Sequence, residues 1–116
     1  MNEGNRIIQA LTEIDRILAS YGLDDPLPRQ LIAWYEQEPE RFRQEVNSND
    51  LWGGAGSISD ISLHSIRPED QRVEADQRRL DAALADLAEA LQAEGMASES
   101  ALARAASFRR WEEHDL

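Results

Sequence analysis

Residues 68–94 read PEDQRVEADQRRLDAALADLAEALQAE, and this stretch decides the fold class. Val73, Leu80, Leu84, Leu87 and Leu91 fall within about 40° of one line when turned by 100° per residue. That is the apolar stripe of a long amphipathic helix. Pro68 is tolerated in a first helical turn, which places the helix from Pro68 to about Glu94. Gly95 then caps it, with Met96 following. The stripe is narrow and alanines flank it, so a partner could pack very close. The outer face is acidic, with eight acids against three arginines in residues 69–94.

Working toward the N-terminus, Ile7, Leu11, Ile14, Leu18 and Tyr21 recur at steps of three and four. They predict a helix from about Asn2 to Tyr21, capped by Gly22, with Leu23 placed for the accompanying apolar contact. Asp24 to Pro28 form a turn that opens a helix over about Pro28 to Gln37, carrying Leu31, Ile32, Trp34 and Tyr35. Pro39 restarts the chain, and Glu40 to Val46 read as a short helix with Phe42 and Val46 four apart. Residues 23–50 hold seven acids and three arginines, so this half is acidic too. Toward the C-terminus, Ser98 is a candidate N-cap for a last helix carrying Leu102, Ala105, Phe108 and Trp111. A polar tail from about Glu112 is expected to fray.

The expectation is one all-α domain over residues 1–116, a bundle of about five helices interrupted by a Gly-rich segment. Its core is expected to include Ile7, Leu11, Ile14, Leu18, Leu31, Trp34, Phe42, Leu80, Leu84, Leu87 and Leu91. The interruption is Trp52-Gly53-Gly54-Ala55-Gly56-Ser57-Ile58-Ser59-Asp60. Ordering consecutive glycines costs the most backbone entropy, so regular structure is not expected through it. Beyond it two periods compete. Ser57 with Asp60 resembles a capping box and favours a short helix, whereas the alternation of Ile61 and Leu63 favours a strand pair near residues 57–66 and an α+β domain.

Composition excludes several functions. There is no cysteine, so disulfides, thiolate metal sites and cysteine nucleophiles are ruled out. The formal net charge is −11, which argues against a nucleic-acid backbone as primary ligand. No uncharged apolar run approaches the roughly 18 residues needed to span a bilayer, and Glu3 stands where a signal peptide carries cations. A cytoplasmic protein without membrane partners is the expectation. All 12 basic residues are arginine.

Chemistry-bearing patterns are few. His64 lies four residues after Asp60 with Ser57, Ser59, Ser62 and Ser65 nearby, which permits a Ser–His–Asp arrangement only if geometry also supplies an oxyanion site. His114 lies near the end. No His-x3-His or Asp-x-Asp-x-Asp-Gly pattern occurs, so neither a metal nor a cofactor is expected. The glycine segment lacks the lysine of a phosphate-binding P-loop and the spacing of a dinucleotide fingerprint. Three readings of it stay open: a tight structural corner covered by Trp52, a partner-contact loop displaying Trp52, and a phosphate or small-molecule loop. The candidate binding residues are therefore Trp52, Gly53, Gly54, Gly56, Ser57 and Asp60.

The run from Trp52 to Ile61 resembles a family of short, uncharacterised bacterial proteins with an aromatic-Gly-Gly-x-Gly-Ser-apolar-x-Asp-apolar signature after a helical N-terminal half. Ser59 stands where that signature carries Asn. The resemblance covers residues 7–95 in layout and about ten residues in motif, and it implies no assigned activity. Size and acidity are also similar to those of the immunity proteins of interbacterial toxin systems. Three functional expectations follow. The first is a non-enzymatic binding module of immunity or antitoxin type that occludes a basic protein partner. The second is a small-molecule or phosphate-binding protein, enzymatic or not, built on the Gly-rich segment and His64. The third is a homo-oligomeric scaffold joined through Val73, Leu80, Leu84, Leu87 and Leu91.

Overall fold

The computed structural model describes residues 3–53 and 57–114. The chain runs α1 (Glu3–Ser20), α2 (Leu27–Gln37), α3 (Pro39–Glu45), α4 (Asn49–Trp52), a 3-10 turn (Ile58–Asp60), α5 (Leu63–Ile66), α6 (Val73–Ala93) and α7 (Glu99–His114). No strand occurs among the described residues, so the fold is all-α. The radius of gyration is 13.6 Å, close to the about 13 Å of a compact 100-residue domain. The five expected helices are present, joined by two four-residue helices, α4 and α5, that the sequence pattern did not separate.

Helix α6 is the centre of the molecule. It packs against α1 on one side and α7 on another, with α5 across its N-terminal half. Val73, Leu80, Leu84, Leu87 and Leu91 are all at most 3% exposed, and Ala83, Ala85, Ala88 and Ala90 are buried beside them. The narrow leucine stripe is thus the chain's own core. The alanines widen it because α6 is enclosed by two neighbours. The expectation that this seam joins copies of the chain is corrected: none of its five residues reaches the surface.

Glycine sets the ends of the two long helices by the same device. Gly22 has φ 73° and Gly95 φ 74°, a left-handed conformation that L side chains rarely adopt. Leu23 N–H bonds Leu18 O at 2.9 Å and Gly22 N–H bonds Ala19 O at 3.0 Å. At the other end Met96 N–H bonds Leu91 O at 2.8 Å and Gly95 N–H bonds Gln92 O at 3.0 Å. Both are Schellman closures, and Leu23 and Met96 pack back on the core as such caps require.

Two boundaries and one buried position differ from expectation. Helix α6 starts at Val73, not Pro68, because the Asp70 carboxylate accepts Arg72 N–H at 2.8 Å and holds the chain in turns. In α7, Ser98 caps by accepting Ala101 N–H at 3.2 Å, but Ala101 rather than Leu102 takes the buried position. That helix continues through the expected frayed tail to His114; the side chain of Trp111 lies outside the described residues. Of the expected core residues only Trp34 is not fully buried: it is partly buried, packed on the edge of the core.

A side-chain clamp ties the two halves together. Asn47, just after α3, donates through Nδ2 to Met96 O at 2.8 Å and accepts Ser98 N–H on Oδ1 at 3.1 Å. One amide therefore satisfies two backbone groups of the loop between α6 and α7.

Candidate functional site

The Gly-rich segment begins as a structural corner. Trp52 ends α4 with its ring 2% exposed, and its indole N–H donates to Val46 O at 2.8 Å. That carbonyl lies at the C-terminal end of α3, where it has no helical partner. Ser57 Oγ donates to Gly53 O at 2.6 Å, and the Arg104 guanidinium from α7 donates to the same carbonyl at 3.2 Å. The reading of Trp52 as a displayed partner anchor is corrected: tying down an orphan carbonyl pulls the ring inside. Gly54, Ala55 and Gly56 lie outside the described residues.

Beyond the corner the short-helix alternative holds and the strand pair is absent among the described residues: Ile58–Asp60 is a 3-10 helix and Leu63–Ile66 a single α-helical turn. Ser57 makes no side-chain cap at the 3-10 turn; its hydroxyl proton goes to Gly53 O. Ile61 (φ −69°, ψ 130°) and Ser62 (φ −108°, ψ 110°) are extended. No second strand pairs with them among the described residues. The side-chain amide of Gln77, on α6, accepts Leu63 N–H at 2.8 Å and donates to Ile61 O at 3.3 Å. The same Nε2 donates to Asp81 Oδ1 at 3.0 Å.

This arrangement leaves a cleft of about 370 Å³ between the Ser59–His64 strap, α6 and α7. It brings together two residues singled out in the sequence, Asp60 and His64, with Gln77, Asp81, Arg104 and Phe108. Trp52, Gly53 and Ser57 do not line it. Asp60 and His64 belong to different short elements, and no hydrogen bond joins them among the described residues, so they form no catalytic pair. Gln77, Arg104 and Phe108 were missed because no local spacing links them to the glycine segment. Only the packing of α7 on α6 brings them in.

A second feature lies at the joint of α2 and α3. Glu36, Glu38 and Glu40 are exposed there. Tyr35 OH lies 3.3 Å from Glu94 Oε2, which adds a fourth carboxylate from the end of α6. Burial of the Tyr35 ring and the Glu94 charge raise the phenol pKa. None of the four carboxylates is in an ion pair among the described residues, whereas acids on α1 and α6 are paired: Glu13 with Arg16, Asp15 with Arg29, Asp76 with Arg79, Glu74 with Arg78, Asp86 and Glu89 with Arg109. The partly buried Trp34 ring lies beside this corner with the Arg41 guanidinium 4.4 Å from its centroid.

Among the described residues no group of three or more His, Asp or Glu is placed to hold a metal ion, and no helix is long and apolar enough to cross a membrane. No family model, curated protein or solved structure matches this chain.

Proposed function

We propose that the chain is a non-enzymatic protein-binding module, of the kind formed by immunity proteins and antitoxins, that blocks a basic partner by occlusion. The observation that carries this reading is the asymmetry of charge pairing. Arginines neutralise acids along α6, while Glu36, Glu38, Glu40 and Glu94 stand without ion-pair partners around the α2–α3 joint among the described residues. Unpaired carboxylates project a field that accelerates encounter with a cationic surface and disfavours acidic competitors. Trp34, partly buried at the same joint, offers its open edge as the apolar contact that charge alone does not supply, since aromatic anchors dominate interface energetics. It takes the role that the sequence pattern suggested for Trp52.

Affinity capture from the native cells at low and at high salt tests the proposal. A basic protein retained at low salt and released as salt rises is the expected result. Capture of no basic protein at either salt contradicts it.

A further inference from the structure

We propose that the cleft between the Ser59–His64 strap, α6 and α7 binds a small zwitterion, an α-amino acid with an apolar side chain. This site is independent of the acidic corner and of the protein partner.

Proton accounting gives the cleft its polarity. Ser57 has one hydroxyl proton, and it is committed to Gly53 O at 2.6 Å. In the 3.2 Å contact between Ser57 Oγ and Ser59 Oγ, Ser59 must therefore be the donor. Ser59, 7% exposed and lining the cleft, is left with acceptor capacity only. Asp60 lies next to it and makes no side-chain hydrogen bond or ion pair among the described residues. Ser59 and Asp60 can therefore accept N–H donors and neither offers a donor in return, while Ser62 and His64 complete this strap.

The α7 side has the opposite character. Arg104 is half-buried and spends one hydrogen bond on Gly53 O. A guanidinium carries five N–H donors, so most remain for a planar anion. No carboxylate is paired with Arg104 among the described residues, although Asp60 and Asp81 line the same cleft. Gln77 between the two ends has both amide hydrogens and its oxygen engaged by Ile61 O, Asp81 and Leu63 N, which fixes the wall rather than the ligand. Ile61 and Phe108 make the apolar surface. The Ser59–Asp60 acceptors, the Arg104 guanidinium and the apolar wall in about 370 Å³ match an ammonium, a carboxylate and a hydrocarbon side chain, and the Glu74–Arg78 ion pair completes the lining. The volume lies within the about 300–1,000 Å³ typical of small-ligand sites.

The test is a titration of the whole chain followed by ¹H–¹⁵N spectra, with three probes: L-leucine, N-acetyl-L-leucine, which lacks the ammonium, and L-leucinamide, which lacks the carboxylate. Leucine is expected to shift the resonances of residues 59–64, 77 and 104, and each capped probe to bind at least about tenfold more weakly. Asp60→Asn is expected to weaken leucine and leave the residual binding of N-acetyl-leucine unchanged. Arg104→Gln is expected to weaken leucine and leave leucinamide unchanged. If Arg104→Gln unfolds through loss of its bond to Gly53 O, the exposed Asp60→Asn variant together with the capped probes decides. No shift with millimolar leucine overturns the proposal, as does equal binding of all three probes.

Discussion

The phenol of Tyr21 donates a hydrogen bond to Asp76 Oδ2 at 2.7 Å, locking the end of α1 to the start of α6 across 55 residues of chain. The Arg67 guanidinium covers the same ring at 4.8 Å from its centroid. Burial of the ring, then the hydrogen bond and charge of Asp76, push the Tyr21 pKa up to about 12. An unfolded tyrosine titrates near 10. The native state thus holds this proton more tightly, so the contribution to stability is complete below about pH 10 and is lost as pH rises toward 12. In a Tyr35→Phe background, tyrosinate absorbance is expected to titrate near pH 12. Tyr21→Phe is expected to cost about 1–2 kcal/mol at neutral pH and to flatten the alkaline loss of stability.

Arg109 plays the corresponding part between α6 and α7. Its Nε and Nη2 meet both oxygens of Glu89 at 3.1 and 3.0 Å, and Nη2 also reaches Asp86. The hydrogen bonds from Arg109 hold the Glu89 carboxyl below its usual range against the opposing effect of burial. A lowered acid contributes stability above the ordinary glutamate pKa and loses it as pH falls through the native value. These groups are partly exposed, so Arg109→Gln is expected to cost only about 0.5–1 kcal/mol. The loss relative to wild type is expected to vanish at acid pH, as denaturant melts at neutral and low pH would show.

Trp52 gives a test in which stability and binding separate. Trp52→Phe removes the donor to Val46 O and leaves a buried carbonyl unpaired, at an expected cost of about 1–3 kcal/mol. Because the ring is enclosed, partner affinity of the folded variant is expected to stay unchanged. Trp34→Ala is expected to weaken binding and, because the ring is partly buried, to lower the melting temperature less than Trp52→Ala does.

This exchange of the two tryptophans shows where the sequence stops being legible. Both lie near helix ends among acids, and nothing local distinguishes them. Burial of Trp52 follows from an orphan carbonyl six residues away, and exposure of Trp34 from which face of α2 meets α1. The long-range features were readable where one periodicity ran for several turns, as in Ile7 to Tyr21 and Leu80 to Leu91, and where glycine alone could close a helix, as at Gly22 and Gly95. Residues 58–66 were not readable, because a 3-10 turn, two extended residues and a single helical turn each impose a different period. The alternation of Ile61 and Leu63 is real, but its hydrogen-bonding partner is the Gln77 side chain, which no pairing pattern anticipates. The same applies to the cleft, half of whose lining comes from α6 and α7.

Leu87 is fully buried on the central helix. Leu87→Ala is expected to cost about 2–5 kcal/mol, the range for a large-to-small change in a packed core. The seam is interior, so light scattering is expected to give the same molar mass before and after the substitution. A dimer that Leu87→Ala dissociates without loss of stability would place the seam between copies.

The central claim concerns the unpaired carboxylates at the α2–α3 joint. Its most direct test compares quantitative capture by wild type and by the Glu36→Gln, Glu38→Gln, Glu40→Gln triple variant at low salt. All three residues are exposed, so the variant is expected to melt like wild type. A basic partner held by wild type is expected to be depleted from the variant, with a weaker salt dependence of what remains. Equal recovery of that partner by both proteins would contradict the claim.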